Sequence, residues 1–110
     1  GKRLLRAKDR PTAIVCAVDR AALGVYQAAA AFDLRVGEEL SVIGYDGIQE
    51  GAHVKPPLST FAVDAQKAGE RLAKLLVRRI QGEPAEKLRE TAPAIFLDRG
   101  SVGPNRSQLR

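Results

Sequence analysis

The chain has 110 residues, enough for one compact domain or one lobe of a larger one. Its composition, 45% hydrophobic and 28% charged, allows a packed core and excludes an intrinsically disordered chain. The formal net charge of +5 raises nucleic acid as a partner. The basic residues fall in three groups: Lys2, Arg3, Arg6, Lys8 and Arg10; Lys67, Arg71, Lys74, Arg78 and Arg79; and Arg106 with Arg110. No aromatic residue is interleaved with them, and no helix-turn-helix, zinc-finger or basic-zipper pattern surrounds them, so they read as a solvated surface. No apolar run is long enough to span a membrane, and no signal-peptide pattern is present. The single cysteine, Cys16, excludes an internal disulfide; set in the run Ile14–Val18, it suits the buried, reduced thiol of a cytosolic protein.

In chain order, Leu4–Lys8 reads as the end of a helix broken by Pro11. Thr12–Val18 is a continuous apolar run, the pattern of a strand buried on both faces of a parallel sheet. Asp19 then stands at the expected N-cap of a helix over about Arg20–Phe32. A polar turn around Gly37 leads into a second short strand, Leu40–Gly44, with Tyr45-Asp46-Gly47 as a loop at its C-terminal end. Pro56-Pro57 interrupts regular structure before a strand over Leu58–Val63. Asp64 is expected to cap a second helix ending near Gly82, and Ala94–Leu97 is a last strand before the tail. Alternating strands and helices predict an α/β fold with a mostly parallel sheet flanked by helices. Open sheets of this kind bind ligands beyond the C-terminal ends of their strands, which singles out Val18-Asp19 and Tyr45-Asp46-Gly47.

The two long helices differ in character. The one after Asp64 has an apolar stripe of Ala65, Ala68, Gly69, Leu72, Leu75, Leu76 and Ile80, with Lys67, Glu70, Arg71, Lys74 and Arg78 opposite, as in a sheet-covering helix with one wet face. The other has no charge between Ala21 and Phe32, which predicts burial on a second side against a partner.

Catalytic and metal chemistry find little support. One Cys and one His cannot make a structural zinc site, and His53 lies in a loop with no nucleophile motif around it. Phosphate-loop glycine patterns do not occur. Asp19 and Asp46 could form an acid–base pair or accept hydrogen bonds from a polyhydroxyl ligand; equally, Asp19 could be a helix cap and Asp46 a turn residue.

Several segments, in order and spacing, resemble one family. Pro11-Thr12-Ala13-Ile14-Val15-Cys16-Ala17-Val18-Asp19 leads into Ala22-Leu23-Gly24. Then follow Leu34–Asp46 with its Val42-Ile43-Gly44-Tyr45-Asp46 ending, Pro56-Pro57-Leu58-Ser59-Thr60, and Arg99-Gly100-Ser101. Together they are similar to the C-terminal half of the effector-binding domain of lac-repressor-family transcription regulators. The resemblance implies residues 1–104 as the C-terminal lobe of a periplasmic-binding-protein-like domain and 105–110 as a tail. The N-terminal lobe and DNA-binding headpiece would lie outside the chain, so DNA is reached only through that headpiece. A small-molecule effector, such as a sugar or nucleobase-like compound, would sit between lobes against Asp46, Val18 and Asp19. Val18 stands where the family commonly has Asn, and Val63 where Gln is frequent, which points to a less polar pocket. The homodimer interface would be built by Leu23, Val25, Tyr26 and Ala29 with Pro57, Leu58, Ser59 and Thr60. Such a regulator is cytoplasmic, needs no cofactor or metal, and is not an enzyme. The alternatives are a sugar-binding protein of a transport system on the same fold, and an enzyme using Asp19 and Asp46.

Overall fold

The computed structural model describes residues 2–105. The expected tail therefore lies, from residue 106 onward, outside the described residues. The chain forms two compact units. The described residues of Gly1–Ala62 and Ile95–Arg110 make the first, and Val63–Ala94 the second.

The first unit holds helix α1 (Lys2–Arg6), strand β1 (Ala13–Val15), helix α2 (Asp19–Ala31), strand β2 (Ser41–Asp46), a 3-10 turn (Gln49–Ala52), strand β3 (Ser59–Ala62) and strand β4 (Ile95–Leu97). The sheet order is β1-β2-β3-β4, with the first three strands parallel and β4 antiparallel to β3. This is the predicted α/β architecture: a βαβ unit in which α2 carries the chain from β1 back to the start of β2.

Alternation along the strands sorts the sheet into two faces. Val42, Gly44 and Thr60 are buried on the α2 side, where Ala22, Val25, Ala28 and Ala29 recur at helical spacing. Leu40, Val42 and Leu58 are fully buried there, and such side chains contribute about 1.5–3 kcal/mol each. The opposite face departs from the prediction of a strand covered on both sides. Val15 is 76% exposed, and Tyr45, Phe61 and Phe96, which the strand register places on that face, are also exposed. The physical reason is that this unit has only α2, packed on one face, to cover a sheet whose parallel strands have two apolar faces. Phe61 and Phe96 partly shield each other, with ring centroids 5.0 Å apart.

After β4 the chain returns to the start of β2, beyond the reach of β3. Val42 N donates to the Ser101 carbonyl at 2.9 Å, and the buried Ser101 hydroxyl donates to the Val42 carbonyl while accepting from Ser59 N at 2.8 Å. The Gly103 N–H donates to Ser41 Oγ at 3.0 Å. Three segments distant in sequence, the starts of β2 and β3 and the stretch after β4, are thereby tied through one hydroxyl and a short extended stretch.

Cys16 is a buried free thiol, as predicted. Burial pushes its pKa up, because the thiolate is poorly solvated there. Its alkylation by iodoacetamide at mildly alkaline pH is expected to be at least about ten-fold slower than in the urea-unfolded chain, a ratio read directly by mass spectrometry.

The second unit is helix α3 (Ala65–Ile80) followed by a 3-10 turn (Ala85–Lys87). Asp64 caps α3 as predicted, accepting from Lys67 N at 3.0 Å. The expected covered face is not covered. No residue of α3 is buried, and Leu72, Leu76 and Ile80 of the apolar stripe are exposed. A lone helix with a short turn supplies no second apolar layer within this unit. The basic face is held loosely by Arg78–Glu83 at 2.7 Å and Arg71–Glu90 at 3.9 Å, both solvent-exposed pairs.

Candidate functional site at the carboxyl edge of the sheet

The parallel strands end on the same side of the first unit, and both predicted loops lie there. Val18, after β1, is the extended N-cap residue of α2 and is 42% exposed. Asp46 is the last residue of β2, opposite Ala62 of β3, and is half-buried. Its φ is 119°, a backbone conformation rare outside glycine. Such strain costs about 1–3 kcal/mol and gathers at functional positions. Gly47 follows with φ 79°, and a Cβ there would lie 2.9 Å from that of Ala62, so this step of the turn requires glycine. Among the described residues, no protein group engages the Asp46 carboxylate.

Asp19 behaves differently from both expectations placed on it. It is the first residue of α2 rather than its N-cap, and its side chain caps nothing. It is also 0% exposed, which removes it from direct contact with an effector. Its carboxylate turns inward: Oδ2 accepts from Gly47 N and Ile48 N, both at 2.9 Å, and Oδ1 accepts from Thr60 Oγ1 at 2.7 Å. With these three donors it is no free partner for Asp46, and the acid–base pair does not form.

The residues expected at a dimer interface separate into two sets. Val25, Ala29, Leu58, Ser59 and Thr60 are buried in this chain's own core and present nothing to a partner. The buried positions of α2, Ala22, Val25, Ala28 and Ala29, lie on one face toward its own sheet, while Ala21, Gly24 and Ala30 on the other side stay exposed. Leu23, Tyr26 and Pro57 remain half-buried. Tyr26 Oη donates to the Pro56 carbonyl at 2.7 Å, so α2 and the Pro56–Thr60 segment do adjoin. Burial pushes the Tyr26 pKa up.

His53 is exposed at the end of the 3-10 turn. Among the described residues, no group of three or more His, Cys, Asp or Glu residues could hold a metal ion. No helix among them is long and apolar enough to cross a membrane. Sequence reasoning missed the roles of Gly44, Thr60 and Ser101; the signal available was small or hydroxyl residues inside otherwise apolar strands, where side chains or another backbone approach closely.

The periplasmic binding protein-like domain model matches residues 2–102. The chain therefore belongs to that family. Within it, the chain is similar to LacI-family transcription regulators. It is 40% identical over 85 residues to the PurR repressor of Mannheimia succiniciproducens, covering 77% of this chain and 25% of that protein. To the ribose operon repressor of Escherichia coli it is 34% identical, over 92% of this chain and 31% of the repressor. A LacI family regulator from Arthrobacter, solved in complex with lactose, superimposes with a TM-score of 0.82 at 32% identity, over 92% of this chain and 39% of that one. The lac repressor dimer bound to operator and the anti-inducer ONPF superimposes with a TM-score of 0.83 at 28% identity, over 94% and 36%. The chain thus spans between a quarter and two fifths of the length of these proteins.

Proposed function

We propose that this chain is the C-terminal part of the effector-sensing, dimerising domain of a bacterial transcription regulator. The carrying observation is Asp46: a half-buried, backbone-strained carboxylate at the carboxyl edge of a parallel sheet, engaged by no protein group among the described residues. An ionised carboxylate there accepts two directional hydrogen bonds from a sugar or a related polyhydroxyl or N–H-bearing metabolite. Val18 supplies an apolar wall in place of a second hydrogen-bonding side chain. The chain's coverage of only a quarter to two fifths of its relatives supports the reading that it acts inside a longer protein. DNA is contacted by the rest of that protein, in the cytoplasm.

The test uses the full-length regulator. A panel of sugars and nucleobases is screened by thermal shift, and each hit by operator mobility shift. One compound that both raises the melting temperature and changes operator affinity is expected. Stabilisation without any change at the operator would favour a binding protein that does not regulate.

Self-association is expected to use Leu23, Tyr26 and Pro57, the members of the predicted interface that remain accessible. A closed two-fold pair buries the same patch twice, so Leu23→Glu places two charges in it and is expected to weaken the dimer at least about ten-fold. Sedimentation equilibrium measures this; an unchanged mass in a folded variant moves the interface elsewhere.

A further inference from the structure

The Asp46 loop is fastened from beneath by a residue that never reaches the surface. Gly47 and Ile48, the two residues after Asp46, both point their N–H groups inward onto Oδ2 of Asp19, at 2.9 Å each. The other oxygen of the same carboxylate is held by the Thr60 hydroxyl of β3 at 2.7 Å. Asp19 is 0% exposed and begins α2, so its charge sits in the first turn, where the helix dipole favours an anion. Gly44 makes the arrangement possible, since a Cβ at that position would overlap the Asp19 carboxylate.

We propose that Asp19 is the positioning residue of the candidate effector site. By bonding the two amides that follow Asp46, it holds the loop in the conformation that gives Asp46 its φ of 119° and fixes the backbone from which its carboxylate projects. The inference rests on reading Asp46 as an effector contact, and it ties three elements to that contact: the start of α2, the end of β2 and β3. Asp19 itself touches no effector.

The experiment compares Asp19→Ala, Asp19→Asn and Thr60→Val in the full-length regulator, free of small molecules, by amide hydrogen exchange resolved at Gly47 and Ile48. Asp19→Ala is expected to speed exchange of these two amides about ten- to a hundred-fold, beyond any change at interior α2 amides such as Val25 and Ala28. Asp19→Asn is expected to restore most of the protection. Its amide oxygen still accepts both loop N–H groups, while its NH2 group turns to the Thr60 hydroxyl. Thr60→Val, which removes only the orienting donor, is expected to give an intermediate rise and serves where the alanine variant does not fold. Exchange at Gly47 and Ile48 that stays unchanged, or rises only in step with α2, would overturn the proposal. The two readings fail separately. If Asp46→Asn leaves titration of D-ribose or lactose, whichever binds the wild type, unaltered while the exchange pattern is as expected, Asp46 is lost as a contact and Asp19 keeps only the loop.

Discussion

Asp46→Asn in the intact regulator is expected to weaken effector binding about ten- to a hundred-fold while leaving the fold and operator binding nearly unchanged. The magnitude follows from losing a charge-assisted hydrogen bond, worth about 1.5–3 kcal/mol. The fold is spared for a local reason. Asn tolerates positive φ about as well as Asp, so the backbone at φ 119° is not asked to change. Among the described residues no bond to the carboxylate is lost either. If Asp46 only shaped the turn, the opposite pair of results would follow: a lower melting temperature with affinity per folded molecule intact. Calorimetric titration beside thermal melts of ligand-free protein separates these. An unchanged dissociation constant removes Asp46 from the site.

A second large effect is expected at Gly44, for stability rather than binding. Its ideal Cβ would overlap the Asp19 carboxylate and lie 3.1 Å from Cδ2 of Leu58, and neither neighbour is free to give way. Leu58 is fully buried, and Asp19 is held by three hydrogen bonds. Overpacking a filled core costs about 1–3 kcal/mol, and displacing the carboxylate from its buried donors adds about 1–3 kcal/mol more. Gly44→Ala is therefore expected to lower unfolding free energy by about 2–6 kcal/mol in urea denaturation. Gly69→Ala provides the contrast. It lies inside α3 with nothing within 4 Å of its ideal Cβ, so it should stabilise its helix by about 0.5–1 kcal/mol. Equal effects at the two glycines would mean that Gly44 is not sterically constrained.

Local chemistry was legible in the sequence wherever one residue's own pattern decides the outcome. Asp64 before an amphipathic run gave a capped helix over Ala65–Ile80, and the apolar runs gave β1, β2 and β3 in a parallel arrangement. The position of Asp46 at a strand end followed from the same reading. What could not be read was long-range partnership. Asp19 looks like a cap because capping is the commonest use of Asp before a helix, yet its partners lie 28, 29 and 41 residues away. Val25 and Ala29 looked available to a second subunit because an uncharged helix face is equally consistent with a core. The exposure of Val15 was likewise hidden, since a buried-strand pattern records two apolar faces and not which segment covers each.

The seam at Ser101 bears on how the polypeptide is made. During synthesis β1, α2, β2 and β3 emerge in order, and the whole Val63–Ala94 unit follows before the residues that finish the sheet. Until Ser101 and Gly103 leave the ribosome, the N–H and carbonyl of Val42 and the N–H of Ser59 lack the partners they have in the finished protein. A nascent chain stalled near residue 98 would hold a partly paired sheet open, with its central strand exposed for longer than the strand order alone suggests. Contacts of such long sequence separation slow folding and prolong that exposure. Between the emergence of residue 62 and that of residue 101, the starts of β2 and β3 thus wait for the partners that complete them.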